Sequence, residues 1–285
     1  MQITSGYIQV IGAMLIWGTV GIFVRFAEQP APTIVFFRVS IAFAALSIYF
    51  CWHKRRLYWH GQKIPALISG IFLALNWLFF FQAIQLTTIG NAVLSYYMAP
   101  LFAVLWARLF LGERLERHGL YALLLAMLGI GLIVSSYDFS LSNQDFLGIV
   151  CGLIGALFYS LVVILVKRLS IAPSQLVLIQ TGIASLVFLP FVVIHPPQLK
   201  AFSIMAMGTL GLVHSAIALG LYFTGLKLIK IQHVSVLSYI EPVSSMVYAY
   251  LIFGEIPTLL TLIGGLCILA ASSIVLCWPK QATLS

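Results

Sequence analysis

The sequence has few charged residues, and acidic residues are the rarest of them. Only 8% of its 285 residues are Asp, Glu, Lys or Arg, and seven are acidic. Hydrophobic residues make up 62% of the chain, and the mean hydropathy is +1.08. A soluble domain of this length needs a more polar surface, so the composition excludes that class. It indicates an integral membrane protein.

Cysteines and catalytic motifs are also scarce. The four cysteines lie in or at the ends of apolar segments, without a CxxC pair, and are expected to pack as small apolar side chains. The sequence contains no GxSxG or HExxH motif. His214-Ser215 is a weak nucleophile–base candidate, because adjacent residues on a helix do not face each other. We predict no enzyme activity, cofactor or metal site, with an intramembrane enzyme as a remote alternative.

Apolar runs long enough to cross a membrane recur along the whole chain. About 20 helical residues cross a hydrocarbon core of ~30 Å. Proline, glycine and charged residues separate the runs, as at Pro30-Ala31-Pro32, Gly61, Pro173 and Pro196-Pro197. The predicted spans are residues 7–26, 33–52, 64–85, 91–111, 118–136, 146–166, 175–194, 202–225, 233–253 and 258–278. This pattern predicts an all-α membrane protein with ten transmembrane helices.

The net charge of +8 is distributed unevenly between the two sets of connectors. Eleven lysines and arginines lie in one set and the C-terminal tail, whereas the other set holds only Arg25 and Lys200. Positive residues concentrate on the cytoplasmic side of short membrane loops. Both termini are therefore predicted to be cytoplasmic. The basic charge is interpreted as a topology signal, and no nucleic-acid partner is predicted.

The chain matches itself when it is shifted by 142 positions. Residues 83–100 align with 225–242 without a gap, and Gly112-Glu113 aligns with Gly254-Glu255. This offset indicates a duplication, with repeats at 1–136 and 146–280. Five helices per repeat is an odd number, so the second repeat is expected to be inverted in the membrane. Inverted repeats are typical of transporters that open a central cavity to each side in turn.

Each repeat ends in a related motif. Pro100 is followed by LFLGERL and Pro242 by LIFGEIP, at the same distance. Together with the ten spans in two halves, these motifs resemble the EamA family of the drug/metabolite transporter superfamily. The resemblance implies a carrier of small metabolites, often an amino-acid exporter, in the bacterial inner membrane. Some members are coupled to protons and others are facilitators, so the family does not identify the cargo.

The Gly-Glu pairs of these motifs have a structural interpretation. Gly112 and Gly254 suit left-handed residues that end a helix. Glu113 and Glu255 are expected to cap the following helix or to pair with nearby arginines.

Ionisable residues inside the spans point more directly to function. Glu241 lies about 12 Å inside its helix and His214 at a similar depth, from the rise of 1.5 Å per residue. A charge at that depth costs about 2.5–3.5 kcal/mol, so Glu241 should face a cavity or be protonated. A His214–Glu241 pair would hold or relay a proton. Alternatively, Glu241 is neutral and bonded to Ser238 or Ser245. Pro242 is expected to open the helix locally.

Arg38 lies about 8 Å inside the second span. Two interpretations are open. It extends to the outer interface, where Glu28 is a partner, or it meets a substrate carboxylate at the external mouth. Its counterpart in the second repeat is Gln180.

A third group of candidates is aromatic or carries an amide. The group includes mid-span positions, and its members are Trp17, Asn76, Trp77, Phe80, Tyr96, Tyr97, Tyr159, Tyr222 and Tyr239. Trp17 pairs with Tyr159 by the repeat offset, and Tyr97 pairs with Tyr239. Such residues suit the walls of a cavity for aromatic amino acids or quaternary ammonium groups. The alternative is ordinary packing and lipid contact.

Taken together, the sequence predicts an alternating-access exporter of amino acids or related metabolites in the bacterial inner membrane. Glu241 is the leading coupling residue. The alternative is an uncoupled facilitator or an uptake carrier for a quaternary ammonium or nucleotide-type metabolite. The expected partners are a small-molecule substrate and membrane lipid, and a homodimer is left open.

Overall fold

The computed structural model describes residues 2–87, 89–135, 143–198, 200–254 and 256–277. All regular structure in these ranges is helical. The helices are α1 (Gln2–Trp17), α2 (Val20–Ala27), α3 (Ala31–Trp52), α4 (Lys63–Leu86), α5 (Ile89–Tyr96), α6 (Ala99–Phe110), α7 (Arg117–Val134), α8 (Asn143–Arg168), α9 (Pro173–Ile194), α10 (Ala201–Thr209), a π-helix (Leu210–Ile217), α11 (Ala218–Leu228), α12 (Ile231–Ser238), α13 (Ile240–Phe253) and α14 (Leu259–Cys277).

Nine helical segments of the described chain are long and apolar enough to cross a membrane. They correspond to nine of the ten predicted spans. The first begins at Gln2, five residues earlier than predicted, which is the largest difference at an N-terminal end. The apolar part of α7, Arg117–Ile133, is shorter, and the end of its predicted span falls outside the described residues. The count of ten crossings stays a prediction.

The outer surface of the helix bundle is apolar. Large side chains such as Trp52, Leu186 and Leu251 are exposed over 81%, 70% and 69% of their surface. Exposed side chains of this kind are stable against lipid tails, and helices satisfy every backbone polar group internally. The chain is a multi-pass membrane protein.

Four helix pairs make the most extensive contacts in the bundle. The pairs are α4 with α8, α7 with α14, α3 with α9, and α1 with α11. Small residues permit close approach: a Cβ added to Gly129 would lie 2.6 Å from the Gly264 carbonyl oxygen, and one added to Gly264 would lie 2.4 Å from that of Gly129. The α7 and α14 backbones therefore touch, as is common for helices in lipid.

Four of the membrane-spanning segments are interrupted near their middle. The segment Ile3–Ala27 breaks between α1 and α2 at Gly18-Thr19, and the segment Ala201–Leu228 contains the π-helix. The segments Ala92–Phe110 and Ile231–Phe253 break at repeat-equivalent places, just ahead of Pro100 and Pro242. The Tyr239 hydroxyl donates to the carbonyl oxygen of Tyr97 at 2.9 Å, which satisfies a backbone group at the break. Interrupted helices at mid-membrane depth typically line a binding site.

Two lysines cap each other's helix ends. Lys167, at the end of α8, donates to the carbonyl oxygens of Leu226, in the last turn of α11, and of Ile229, directly after α11. Lys227, at the end of α11, donates to those of Leu169 and Ile171 after α8. A cation near carbonyls at a helix C-terminus is favourable. These two basic residues therefore join α8 to α11 in addition to contributing to the topology signal.

Candidate functional site

A cavity of about 240 Å³ lies where the interrupted helices meet. Its wall combines aromatic, aliphatic and two charged side chains. The lining residues are Met14, Trp17, Val20, Val24, Ala31, Ile34, Val35, Arg38, Leu73, Trp77, Phe80, Phe81, Tyr96, Tyr97, Ala99, Pro100, Tyr159, His214, Leu219, Ser238 and Glu241.

The aromatic part of the wall is a continuous set of ring contacts. Tyr96 packs against Phe80 with ring centroids 4.3 Å apart and against Tyr159 at 6.2 Å. Trp17 packs against Tyr222 at 5.2 Å, and its indole N–H donates to the His214 carbonyl oxygen at 2.9 Å. Ring faces are negative in charge, so such a wall can bind both apolar groups and cations.

Most of the candidates from the sequence line this cavity. Those that do are Trp17, Trp77, Phe80, Tyr96, Tyr97, Tyr159, His214 and Glu241. Asn76, Tyr222 and Tyr239 lie behind the wall instead, with at most 1% of their surface exposed. Asn76 donates to the Tyr96 hydroxyl at 3.1 Å and to the Gly155 carbonyl oxygen at 2.9 Å. These three residues position the wall, and substrate contact for the other eight stays a prediction.

Arg38 faces the cavity, and the expectation that it extends to the outer interface is wrong. Its Nε donates to the Ser215 hydroxyl at 2.9 Å, and its Cζ lies 5.1 Å from the centre of the Trp77 ring. Glu28 pairs with Lys200 instead, at 2.8 Å. The hydrogen bond from Lys200 lowers the pKa of Glu28. Gln180, the repeat counterpart of Arg38, is buried and donates to Ser69 at 3.0 Å.

Glu241 and Arg38 form the charged part of the wall. Glu241 is the second residue of α13, directly after the break, and it lines the same cavity as Arg38. The predicted opening of the helix lies at Tyr239, three residues before Pro242. A basic and an acidic side chain thus share one cavity with aromatic side chains.

His214 lies in the π-helix and has partners other than Glu241. Its Nε2 lies 2.8 Å from the Thr19 hydroxyl and its Nδ1 lies 3.3 Å from the Thr209 carbonyl oxygen. These contacts join His214 to the turn before α2 and to α10, and its pairing with Glu241 to hold or relay a proton stays a prediction. His214 fixes the break between α1 and α2 against the π-helix, beside the cavity.

A second polar site lies at the N-terminal ends of α7 and α12. We call it the α7–α12 cluster. Its members are Glu113, Glu116, His118, Lys230, Gln232 and His233.

Glu113 caps a different helix from the one predicted. Its carboxylate accepts from the backbone N–H of Ile231, the first residue of α12, at 3.0 Å. Burial raises the pKa of Glu113, against the opposing effects of Lys167, this hydrogen bond and Lys230. Gly112 and Gly254 both have φ of 67°, as expected for left-handed residues after a helix. Glu255 lies outside the described residues.

Glu116 is the centre of the cluster. Lys230 and His233 both bond to its carboxylate, and Gln232 bonds to its backbone N–H and C=O, each at 3.0 Å. Burial opposes ionisation of Glu116, but the hydrogen bonds and charges of Lys230 and His233 outweigh it and lower its pKa. The sequence analysis missed this cluster because its members are 117 positions apart.

The fold is that of a multi-pass helical membrane protein with an internal cavity, and comparison with known proteins specifies the family. The profile of the EamA-like transporter family matches residues 4–135 and again residues 146–277. The chain belongs to this family, within the drug/metabolite transporter superfamily, as the paired Pro and Gly-Glu motifs predicted.

Relatives of similar length are also named as transporters. An uncharacterized transporter of Archaeoglobus fulgidus is 30% identical over 278 residues, which cover 96% of this chain and 97% of the relative. The uncharacterized transporter YxxF of Bacillus subtilis is 26% identical over 289 residues, which cover 96% of this chain and 90% of the relative. The pseudopaline exporter CntI of Pseudomonas aeruginosa is 29% identical over 252 residues, 86% of each chain.

A solved crystal structure has the same fold. It superposes with a TM-score of 0.84 at 20% identity and covers 95% of this chain and 96% of its own. At this identity the likeness concerns the fold alone.

Proposed function

We propose that this protein is a secondary transporter that moves a small zwitterionic metabolite, such as an amino acid, outward across the bacterial inner membrane. The observation that carries the proposal is the presence of Arg38 and Glu241 in the wall of one aromatic cavity. The volume of about 240 Å³ suits a small metabolite rather than a polymer or a folded partner.

The two charged groups complement the two ends of a zwitterion. The planar guanidinium of Arg38 binds a substrate carboxylate through paired hydrogen bonds. Glu241 binds the ammonium group, and the aromatic faces between them add cation–π attraction and apolar contact. With such a substrate bound, each of the two charges has a partner of opposite charge inside the membrane.

Two inverted five-helix halves provide the transport mechanism in this proposal. In the predicted repeats, α1 of the first half corresponds to α8 of the second, and α4 corresponds to α11. The contact of α1 with α11 therefore corresponds to the contact of α8 with α4, and both are present. The breaks at Tyr97 and Tyr239 are likewise exchanged. This pseudo-symmetry supports halves that exchange conformations and open the cavity to either side.

On the predicted topology, the cavity lies between the middle of the membrane and the periplasmic side. Val24, Ala31 and Phe81, near the outer ends of their helices, belong to its wall. The α7–α12 cluster lies at the opposite, cytoplasmic end, where its hydrogen bonds hold α7 against α12. In this proposal the conformation described is the outward-facing one, and the transport cycle requires the contacts of the α7–α12 cluster to separate.

Proton influx drives export in this proposal through Glu241. A proton and a substrate ammonium compete for the same carboxylate, so one leaves as the other binds. The export direction is favoured by the name of the relative CntI, a pseudopaline exporter.

Ligand-induced stabilisation with matched compounds tests the substrate class. For each aromatic and aliphatic amino acid, purified protein is heated with the amino acid, with the amine that lacks the carboxylate and with the acid that lacks the amine. Phenylalanine, phenethylamine and 3-phenylpropionate form one such set. A ligand at 100 times its Kd stabilises the native state by about 2.7 kcal/mol.

The proposal predicts that at least one amino acid stabilises the protein more than its amine and its acid. Arg38→Gln should abolish the preference over the amine, and Glu241→Gln the preference over the acid. Equal stabilisation by the amine or acid in every set, or unchanged preferences in both variants, would contradict the proposal.

The second candidate substrate class is a quaternary ammonium compound. The ring contacts around Tyr96 and Tyr159 favour it, because aromatic faces attract such cations. Arg38 repels a substrate that is only cationic, so this class fits best when the compound also carries a carboxylate.

A further inference from the structure

The α7–α12 cluster contains a set of donor atoms that converges on one point. The Nε2 atoms of His118 and His233 lie 3.0 Å and 3.1 Å from the same carboxylate oxygen of Glu116, Oε2. All three donor atoms lie within 4.8 Å of one another. Around a tetrahedral Zn²⁺ with bonds of about 2.0–2.1 Å, neighbouring ligand atoms are about 3.3 Å apart. The two nitrogen–oxygen spacings, 3.0 Å and 3.1 Å, are within a few tenths of an ångström of that value.

We propose that Glu116, His118 and His233 form a Zn²⁺ site that joins α7 to α12. Two imidazoles and one carboxylate are borderline ligands that suit Zn²⁺, and three protein ligands leave a fourth position for water. The proposal concerns metal binding only and does not depend on the substrate or on the transport mechanism.

The surroundings hold the three ligands in place, as outer-shell contacts do in metal sites. The Tyr7 hydroxyl bonds to His233 Nδ1 and leaves Nε2 directed at Glu116. Lys230 bonds to the other carboxylate oxygen of Glu116, Oε1, and leaves Oε2 for the ion. The amide of Gln232 bonds to the backbone N–H and C=O of Glu116 and fixes its position.

An ion can reach the site. The side chains of His118, His233 and Glu116 are exposed over 15%, 12% and 20% of their surface. The site is therefore buried enough to fix its ligands and open enough to admit Zn²⁺ from water. The sequence analysis predicted no metal site because Glu116 and His233 are 117 positions apart and form no local motif.

The alternative is that both imidazoles donate hydrogen bonds to Glu116 without any ion. Lys230 distinguishes the two. The positive charge of Lys230 competes with a metal ion for Glu116, so removal of that charge should strengthen metal binding. If the cluster is held by ion pairs without a metal, removal of the same charge should only weaken it.

Direct titration tests the proposal. The full chain is purified with an affinity tag that lacks histidine, the tag is removed, and metal is stripped with a chelator. Zn²⁺ is then titrated in competition with a coloured chelator, and Co²⁺ is added separately to record the absorption of a coordinated ion. The wild-type protein should bind one Zn²⁺ per chain.

Four variants and a control make the result specific. His118→Ala and His233→Ala should each weaken Zn²⁺ binding at least tenfold. Tyr7→Phe should weaken it about tenfold through loss of the contact that orients His233. Lys230→Gln should strengthen it, and His60→Ala, in an exposed loop, should not change it.

The monodispersity of each metal-free variant in size-exclusion chromatography distinguishes loss of a ligand from loss of the fold. Absence of saturable Zn²⁺ binding to the wild-type protein would overturn the proposal. Binding that is unchanged in both histidine variants would also overturn it, because the ion would then lie elsewhere.

Discussion

Gly18 tests whether the break between α1 and α2 packs as tightly as the structure indicates. A Cβ added to Gly18 would lie 2.1 Å from the Ser244 hydroxyl oxygen, 2.9 Å from the Ser244 Cβ and 3.0 Å from the Ser245 nitrogen. Two of these atoms cannot move without shifting α13. Overpacking of this kind typically costs about 1–3 kcal/mol. Gly18→Ala should therefore destabilise the protein by about that amount.

Gly12 is the matched control on the same helix. A Cβ added there has nothing within 4 Å. Gly12→Ala should stabilise α1 by about 0.5–1 kcal/mol, because alanine loses less backbone entropy than glycine in a helix. Replacement of glycine by alanine should thus lower the stability of the protein at position 18 and raise it at position 12.

A double-mutant cycle identifies Ser244 as the cause. Ser244→Gly removes the two closest contacts but also the hydrogen bonds that its hydroxyl donates to Met14 and Glu241. Gly18→Ala should cost less in the Ser244→Gly background than in the wild-type background. Unfolding in mixed micelles of SDS and a mild detergent measures these differences. If Gly18→Ala matched wild type, or if the two changes were additive, the packing argument would be refuted.

Three further predictions follow from the cavity and the cluster. Glu241→Gln should remove the pH dependence of transport in proteoliposomes while the protein stays folded, and an unchanged pH profile would exclude Glu241 from coupling. Arg38→Lys keeps the charge but not the planar group that faces Trp77, so binding of a zwitterion, measured by calorimetry, should weaken about 10-fold or more. Gly119→Ala would place a Cβ 2.6–2.8 Å from the Gln232 amide, and a lower thermal midpoint should result.

The sequence predicted the helical bundle well, because span length and proline or glycine breakers are local signals. Gly112 and Gly254 were predicted as left-handed residues for the same reason, and both have that conformation. The breaks at Tyr97 and Tyr239 were predicted less well. Pro242 indicated a local opening of the helix. The break itself lies at Tyr239, whose hydroxyl bonds to Tyr97, and this contact joins residues that are far apart in the chain.

The orientation of individual side chains was harder to predict. α3 is apolar around most of its circumference. Its sequence pattern therefore does not show which face of α3 points into the bundle, or whether Arg38 lies on that face. His214 and Glu241 both line the cavity, but His214, in the π-helix, bonds to Thr19. Glu113 caps α12 because α7 and α12 meet in space, which the order of helices alone does not specify.

Counterflow is the most direct test of a carrier with a single alternating cavity. Proteoliposomes are loaded with the unlabelled amino acid that gives the largest stabilisation, and a trace of the labelled compound is added outside. The account predicts saturable uptake that is faster with unlabelled substrate inside, and its loss in Arg38→Gln. Flux that rises linearly with concentration and ignores the internal substrate would contradict it.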